Sequence, residues 1–320
     1  MIARTRFLQP PTGSAMRLIR NLLLGALIFL AVDRGGDAAL RFGLDRYFGL
    51  DTPGALLLVG HSHVVLGVSE PQLETALGRE VAKYARAGAA LEDRILAVSH
   101  YLERQPEGPV AVIFGVDGHI FAPRGLSANS YRLFYPYLGT PAVAAFIKAR
   151  ALSTTEVPVR RLSRLARYND VLLNAARRGL TGNTQSAITG QFDPDVLVAR
   201  AALGDVRPLA IDQGQVATFE RFLSDMAARD IPVILAFIPT TDTWNALQPD
   251  IFADVLDRLQ SYGATQRGVA FVSLLDEFAH DHTLFADPIH LNVAGQRRVT
   301  ARLADALAPL LPPLAEKALP

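Results

Sequence analysis

Four almost unbroken apolar runs dominate the sequence: ALLLVG (55–60), VAVIFGV (110–116), VILAFIP (233–239) and AFVSLL (270–275). Each has the length of a strand and is bounded by Gly, Pro or charge. A strand with one wet face alternates apolar and polar residues, so runs that do not alternate belong to a sheet covered on both sides. EVAKYAR (80–86) is a weaker fifth candidate. Between the runs, ALEDRILAVSHYLERQ, QVATFERFLSDMAARD, IFADVLDRLQSYGATQ and NVAGQRRVTARLADALAPLL repeat apolar residues near helical spacing. Strand alternating with helix predicts an α/β fold, a three-layer αβα sandwich around a mostly parallel sheet of about five strands.

The N-terminus sets a second constraint. Arg4, Arg6, Arg17 and Arg20 precede NLLLGALIFLAV, and Asp33 and Arg34 close it. Leu22 to Val32 is shorter than the roughly 20 residues of a spanning helix. Adding AMRLIRN reaches that length, because Arg17 and Arg20 can snorkel toward headgroups. A cleaved signal peptide and a buried core helix are the competitors, although no clear small-x-small cleavage site follows the run. The reading adopted is an uncleaved signal anchor. Basic residues ahead of it place the N-terminus in the cytoplasm and the main domain across the membrane.

The expected organisation is therefore a tail and anchor helix over 1–34, a linker over 35–53, one domain over 54–312 and a short tail over 313–320. Gly118 to Asp212 shows no strand pattern and reads as a helical or loop insertion, a cap over the sheet edge. Its Arg160, Arg161, Arg164, Arg167, Arg177 and Arg178 read as a solvated helix face. A net charge of +1 gives no electrostatic case for nucleic acid. With no cysteine, disulfides, thiolate metal sites and a cysteine nucleophile are excluded.

In open α/β sheets, ligands bind beyond the carboxyl ends of the strands. ALLLVG runs straight into HSHVVLGVSE, which puts Ser62 on the turn leaving the first strand, with Gly60 allowing close backbone approach. FADPIHLNVAGQRRV follows the last strand and carries Asp287 and His290 three residues apart. A serine hydroxyl is a weak nucleophile until an imidazole takes its proton. The imidazole in turn needs a carboxylate to hold its tautomer and stabilise its charge. Ser62 as a plain helix cap is the alternative reading.

VGHSHVVLGV near the start and DPIHLNVAG near the end resemble the first and last blocks of the SGNH (GDSL-like) hydrolases. The late D-x-x-H-L-N, the G-x-S turn and the N-terminal anchor are closest to membrane-anchored SGNH proteins of the DltD and alginate O-acetylation types. The two blocks cover some twenty residues, and the strand order extends the likeness over roughly 50–310. The resemblance implies Ser62 as nucleophile, His290 as general base and Asp287 as its orienting partner. It implies an oxyanion hole from the backbone N–H groups of Ser62 and Gly88. It also implies serine esterase or O-acyltransferase chemistry with no cofactor, on acyl groups, acetyl first, of a cell-envelope or secreted polysaccharide. A multi-span membrane partner that supplies the acyl group, and a place in the bacterial inner membrane with the domain facing the periplasm or exterior, follow in the same way.

Two positions depart from the family pattern. Gly-Asp-Ser reads Gly60-His61-Ser62, and the third block's Gly-x-Asn reads FGVDGH, with Asp117 where an asparagine would donate to the oxyanion. Losing one such donor costs on the order of 100- to 1,000-fold. Asp117 therefore points elsewhere, or Asn129 in the insertion supplies a donor, or activity is weak. Two other readings stay open. His61 and His63, with His280, Asp281, His282, Asp287 and His290, carry enough nitrogen and oxygen donors for a zinc-type hydrolase. Alternatively the domain is a non-catalytic binding or scaffold module, in which Trp244 either stacks on a sugar or packs internally.

Overall fold

The five runs become one parallel sheet. The computed structural model describes residues 13–123, 129–153, 155–204 and 206–313. The strands are β1 (Leu56–Gly60), β2 (Val81–Ala85), β3 (Ala111–Val116), β4 (Val233–Phe237) and β5 (Val269–Ser273), in the order β2-β1-β3-β4-β5. Every pairing is parallel. Successive side chains point to opposite faces, and both faces of β1 to β4 are dry, while edge strand β5 is half-buried. Leu57, Val59, Val112, Phe114, Val233 and Leu235 feed one core, and Leu56, Leu58, Ala111, Ile113, Ile234 and Ala236 feed the other.

The helices are α1 (Gly13–Tyr47), α2 (Ser62–Gly67), α3 (Glu70–Leu77), α4 (Leu91–Arg104), α5 (Pro141–Arg150), α6 (Glu156–Leu162), α7 (Asp170–Thr181), α8 (Pro194–Ala202), α9 (Gln213–Ala228), α10 (Asp242–Asn245), α11 (Pro249–Thr265), α12 (Leu275–Phe278) and α13 (Val293–Leu307). From β1 the chain first goes to β2 on one side and then to β3 on the other. The strand order thus reverses beside β1, and that reversal opens a crevice at the carboxyl ends of β1 and β3.

Between β3 and β4 the described residues contain helices and no strand. They spread over both faces: Val143, Ile147, Leu172 and Ala176 join the first core, and Phe192 and Leu197 the second.

α1 is long and apolar enough to cross a membrane. Leu18, Leu22, Leu27 and Ile28 are exposed along it. From Ser14 to Val32 it spans roughly 28 Å at about 1.5 Å per residue, close to the ~30 Å of a hydrocarbon core. The expected linker is a correction, because α1 continues without a break to Tyr47. Gly35 and Gly36 read as a helix end, yet tertiary contacts outweigh their poor propensity. Asp33 and Asp37 are buried on the domain side. Asp33 accepts from Ser163 Oγ (2.7 Å) and from the backbone N–H groups of Arg164 and Leu165 (3.0 Å each), and Asp37 accepts from Tyr168 Oη (2.9 Å). The basic tail over 1–12, with Arg4 and Arg6, and residues 314–320 lie outside the described residues.

Further along, α1 and α7 touch backbone to backbone. A Cβ on Gly179 would fall on the Gly43 carbonyl, and one on Gly43 would fall on the Ala176 carbonyl. Gly179→Val is therefore expected to push the helices apart and lower stability by about 1–3 kcal/mol. Gly139→Ala, where a Cβ meets nothing within 4 Å, serves as the neutral control. Thermal unfolding of the two variants checks this, and equal melting temperatures would contradict it.

Candidate active site

Ser62 opens α2 directly after β1, with His61 in the extended N-cap position. The turn is tight because Val64 folds back over two glycines. A Cβ on Gly60 of β1 or on Gly115 of β3 would collide with its side chain. Gly115 was not legible as a site-forming residue in the sequence. At the other end of α2, buried Lys83 donates from Nζ to the carbonyls of Val65 (2.9 Å) and Val68 (2.6 Å), satisfying groups a helix end leaves open. Gln296 of α13 donates to the Leu66 carbonyl (2.6 Å), and Thr300 Oγ1 accepts from the Ser69 N–H (2.9 Å). These bonds lock α2 to the helix that follows His290.

The loop ahead of α13 is equally fixed. Asn292 caps that helix, accepting from the Ala294 and Gly295 N–H groups (3.0 Å each), while its amide donates to the Thr283 carbonyl (2.8 Å). A Cβ on Gly295 would strike the Leu284 carbonyl. Asn292 and Gly295 are thus positioning residues of the DPIHLNVAG block, a role that spacing alone did not reveal. The Pro288 carbonyl accepts from both the N–H and the hydroxyl of Thr241 (3.0 Å each), which ties the loop to the end of β4.

Ser62, His290 and Asp287 come together. Ser62 Oγ lies 2.8 Å from His290 Nε2, and His290 Nδ1 lies 2.7 Å from Asp287 Oδ2. Asp287 Oδ1 accepts from the backbone N–H groups of Ile289 (3.0 Å) and His290 (2.9 Å), so one carboxylate closes its own loop and orients the ring. Burial opposes charge on Asp287, but the His290 ring and these two N–H groups outweigh it and hold the carboxyl below its ordinary range. An ionised carboxylate at Nδ1 fixes the proton there and leaves Nε2 to accept from the serine. The arrangement can turn a hydroxyl into a nucleophile.

Asp117 is hydrogen-bonded outside this line. It is buried, accepts from Arg94 Nη2 (2.8 Å) and from the His119 N–H (2.7 Å), and sits 3.1 Å from His61 Nε2. The last contact lies within ion-pair distance, but His61 Nε2 has no aligned hydrogen bond, so Arg94 supplies the hydrogen-bonded charge. Burial again opposes the charge, and the facing His61 and Arg94 outweigh it and depress the carboxyl strongly. Arg94, in the helix after Gly88, is a residue sequence reasoning missed. Its signal was an arginine on the otherwise apolar face of ALEDRILAV.

His61 and His63 do not gather a metal site. Both are buried, their rings 4.0 Å apart, and His63 stands edge-on to His290 at 5.6 Å. His280 and His282 instead bind the Asp242 carboxylate, at 2.7 and 2.6 Å. Asp281 pairs with Arg298 (2.9 Å). Among the described residues no group of three such donors converges on one point. Gly88 lies in the turn after β2 with φ of 75°, three residues beyond Ala85, which pairs with Gly60.

Two hollows are lined by sequence neighbours of the triad, and neither by Ser62, Asp287 or His290 themselves. A small one of about 130 Å³ is lined by His61, His63, His119, Trp244 and Ile289. A larger cleft of about 700 Å³ reaches from Val65, Arg86 and Ala87 past exposed Asn129 to Tyr47 and Phe48 at the end of α1. Asn129 faces that cleft, and Trp244 is half-buried against the smaller hollow.

Burial makes the site acid-sensitive. It holds His63 down to about 3 and His61 well below the ordinary 6.5, and in the first core it holds His100 down to about 3. Between about 3 and 6.5 the unfolded chain binds these protons and the folded chain does not, so stability falls as pH drops through that window. Denaturant titrations at pH 7 and pH 5 are expected to show the loss. His100→Phe, which removes one such group, is expected to shrink the difference, and equal stability at the two pH values would contradict the assignment.

No protein-family model matches the chain, and no curated protein matches it either.

Proposed function

We propose that the chain is a membrane-anchored serine esterase or O-acyltransferase with the SGNH layout. It acts on acyl groups, acetyl first, of a cell-envelope or secreted polysaccharide. The carrying observation is the hydrogen-bonded line from Ser62 Oγ through His290 to Asp287. The two blocks resembling SGNH hydrolases, and a serine turn at the point where strand order reverses, support the same reading.

As Ser62 Oγ attacks the ester carbonyl, its proton passes to His290 Nε2, and Asp287 stabilises the imidazolium. The N–H groups of Ser62 and Gly88 take the developing oxyanion. His290 then gives the proton to the departing sugar oxygen, leaving acyl-Ser62. Water or a second sugar hydroxyl, deprotonated by His290, releases the acyl group and restores the hydroxyl. The cleft of about 700 Å³ begins at Val65, three residues beyond Ser62, and has room for several sugar units. α1 would hold the domain on the outer face of a bacterial inner membrane, next to a multi-span protein that supplies acyl groups.

One observation favours a binding module instead: Asp117 is locked to Arg94 and donates nothing to an oxyanion. Labelling by a fluorophosphonate separates the two. Stoichiometric modification at Ser62, with release of p-nitrophenol from p-nitrophenyl acetate, supports the enzyme. A folded protein that binds polysaccharide but resists labelling supports the module.

A further inference from the structure

α1 and α7 run side by side in the same direction, and their contacts climb in step. Asp33 and Gly36 meet the 163–165 segment, Asp37 meets Tyr168, Gly43 meets Ala176, and Gly179 meets Gly43 near Tyr47. The segment joining α6 to α7 is therefore held at Asp33, one residue beyond Val32, the last of the exposed apolar stretch. That level is where a spanning helix leaves hydrocarbon.

What the domain presents around that level is unlike a plain solvated surface. Leu162, one residue before the Asp33 contact, is 74% exposed, and Leu152 is 71% exposed. Val159, one helical turn before Leu162, is also exposed. Beside them α5 and α6 form a depression of about 540 Å³ lined by Ala144, Ala145, Ala151 and Val157, with Lys148 and Arg161 as its cations. Glu156, the acidic residue of α6, is turned inward to Tyr131 and Arg132. Exposed aliphatic side chains interleaved with cations that have no ion pair among the described residues fit the boundary of an anionic bilayer. They fit it in continuity with the helix that enters it.

We infer that the α5–α6 face is a second membrane contact. It lays Leu152, Val159 and Leu162 into the outer surface of the bilayer and takes an anionic phospholipid headgroup between Lys148 and Arg161. The inference rests on the reading that α1 spans the membrane, and the test separates the two.

Because the chain has no cysteine, single-cysteine variants of the full-length protein carry one label each. An environment-sensitive fluorophore is placed at Leu24→Cys, Leu162→Cys or Leu203→Cys, the last being 84% exposed at the end of α8. The proteins are reconstituted in phosphatidylethanolamine–phosphatidylglycerol vesicles containing nitroxide lipids. Deep nitroxides are expected to quench position 24 and shallow ones position 162, with position 203 several-fold less affected. Lys148→Glu with Arg161→Glu is expected to abolish most of the quenching at 162 and leave that at 24. Quenching at 24 without quenching at 162 overturns the second contact and keeps the anchor. No quenching at 24 overturns the anchor itself. Equal quenching at 162 and 203 marks nonspecific adsorption and overturns the inference. A blue shift at 162 in native membranes but not in vesicles assigns the face to a protein partner, which also overturns it.

Discussion

Ser62→Ala is expected to leave a folded protein whose ester hydrolysis has fallen on the order of 10⁴- to 10⁶-fold, the range seen when a triad nucleophile is removed. Ser62 Oγ sits beside His290 Nε2 at 2.8 Å, and the helix it opens is held by Lys83, Gln296 and Val64 rather than by the hydroxyl. Removing one oxygen should therefore cost little stability. His290→Ala is expected to lose a similar factor, and the double variant little more than either, because the members act as one unit. Initial rates on p-nitrophenyl acetate, read beside melting curves, check both statements. A Ser62→Ala protein that keeps a tenth of its rate would end the nucleophile assignment, as would losses that multiply in the double variant.

The largest stability effect is expected at a residue that touches no substrate. Arg94→Leu leaves Asp117 charged, almost fully buried and without its cation. Breaking such a pair costs about 3–5 kcal/mol. Arg94 also donates to the carbonyls of Ala89 and Gly115, so its loss strands polar groups at the carboxyl ends of both β2 and β3. Asp117→Leu in the same chain is expected to recover part of the loss, since replacing both partners by apolar groups removes the orphan charge. Denaturant unfolding of the single and double variants measures the difference. A single variant as stable as the parent would show that Arg94 and Asp117 are not paired in solution.

How much of this could be read from the sequence depended on where the information is local. The sheet was legible because a doubly covered strand must be apolar, a condition that the runs of β1, β3 and β4 met throughout and that of half-buried β5 met except at Ser273. The edge strand β2 was weaker because it carries Lys83, whose buried charge is met by the Glu70 carboxylate and by carbonyls fifteen and eighteen residues away. Ser62 was legible because it stands at the carboxyl end of β1, and Asp287 and His290 because one short loop carries both, although fourteen and seventeen residues separate them from the end of β5. Arg94 and Gly115 were not, since their roles exist only once β3 lies beside β1. The supposed linker failed for the same reason: Gly35-Gly36 breaks helices in isolation, but Asp33 and Asp37 find partners more than a hundred residues downstream.

That unbroken α1 has a mechanical consequence. An enzyme on a floppy leash can swing through a hemisphere and fetch its substrate. Here the rod that would enter the bilayer is bolted to the body from Asp33 to Tyr47, and Tyr47 helps wall the larger cleft. At about 1.5 Å per residue, an α1 that spans the bilayer would hold the cleft roughly 20 Å above the lipid boundary. On the proposed reading the domain would patrol a plane at constant altitude, and a polymer strand would have to pass through that plane to be worked on.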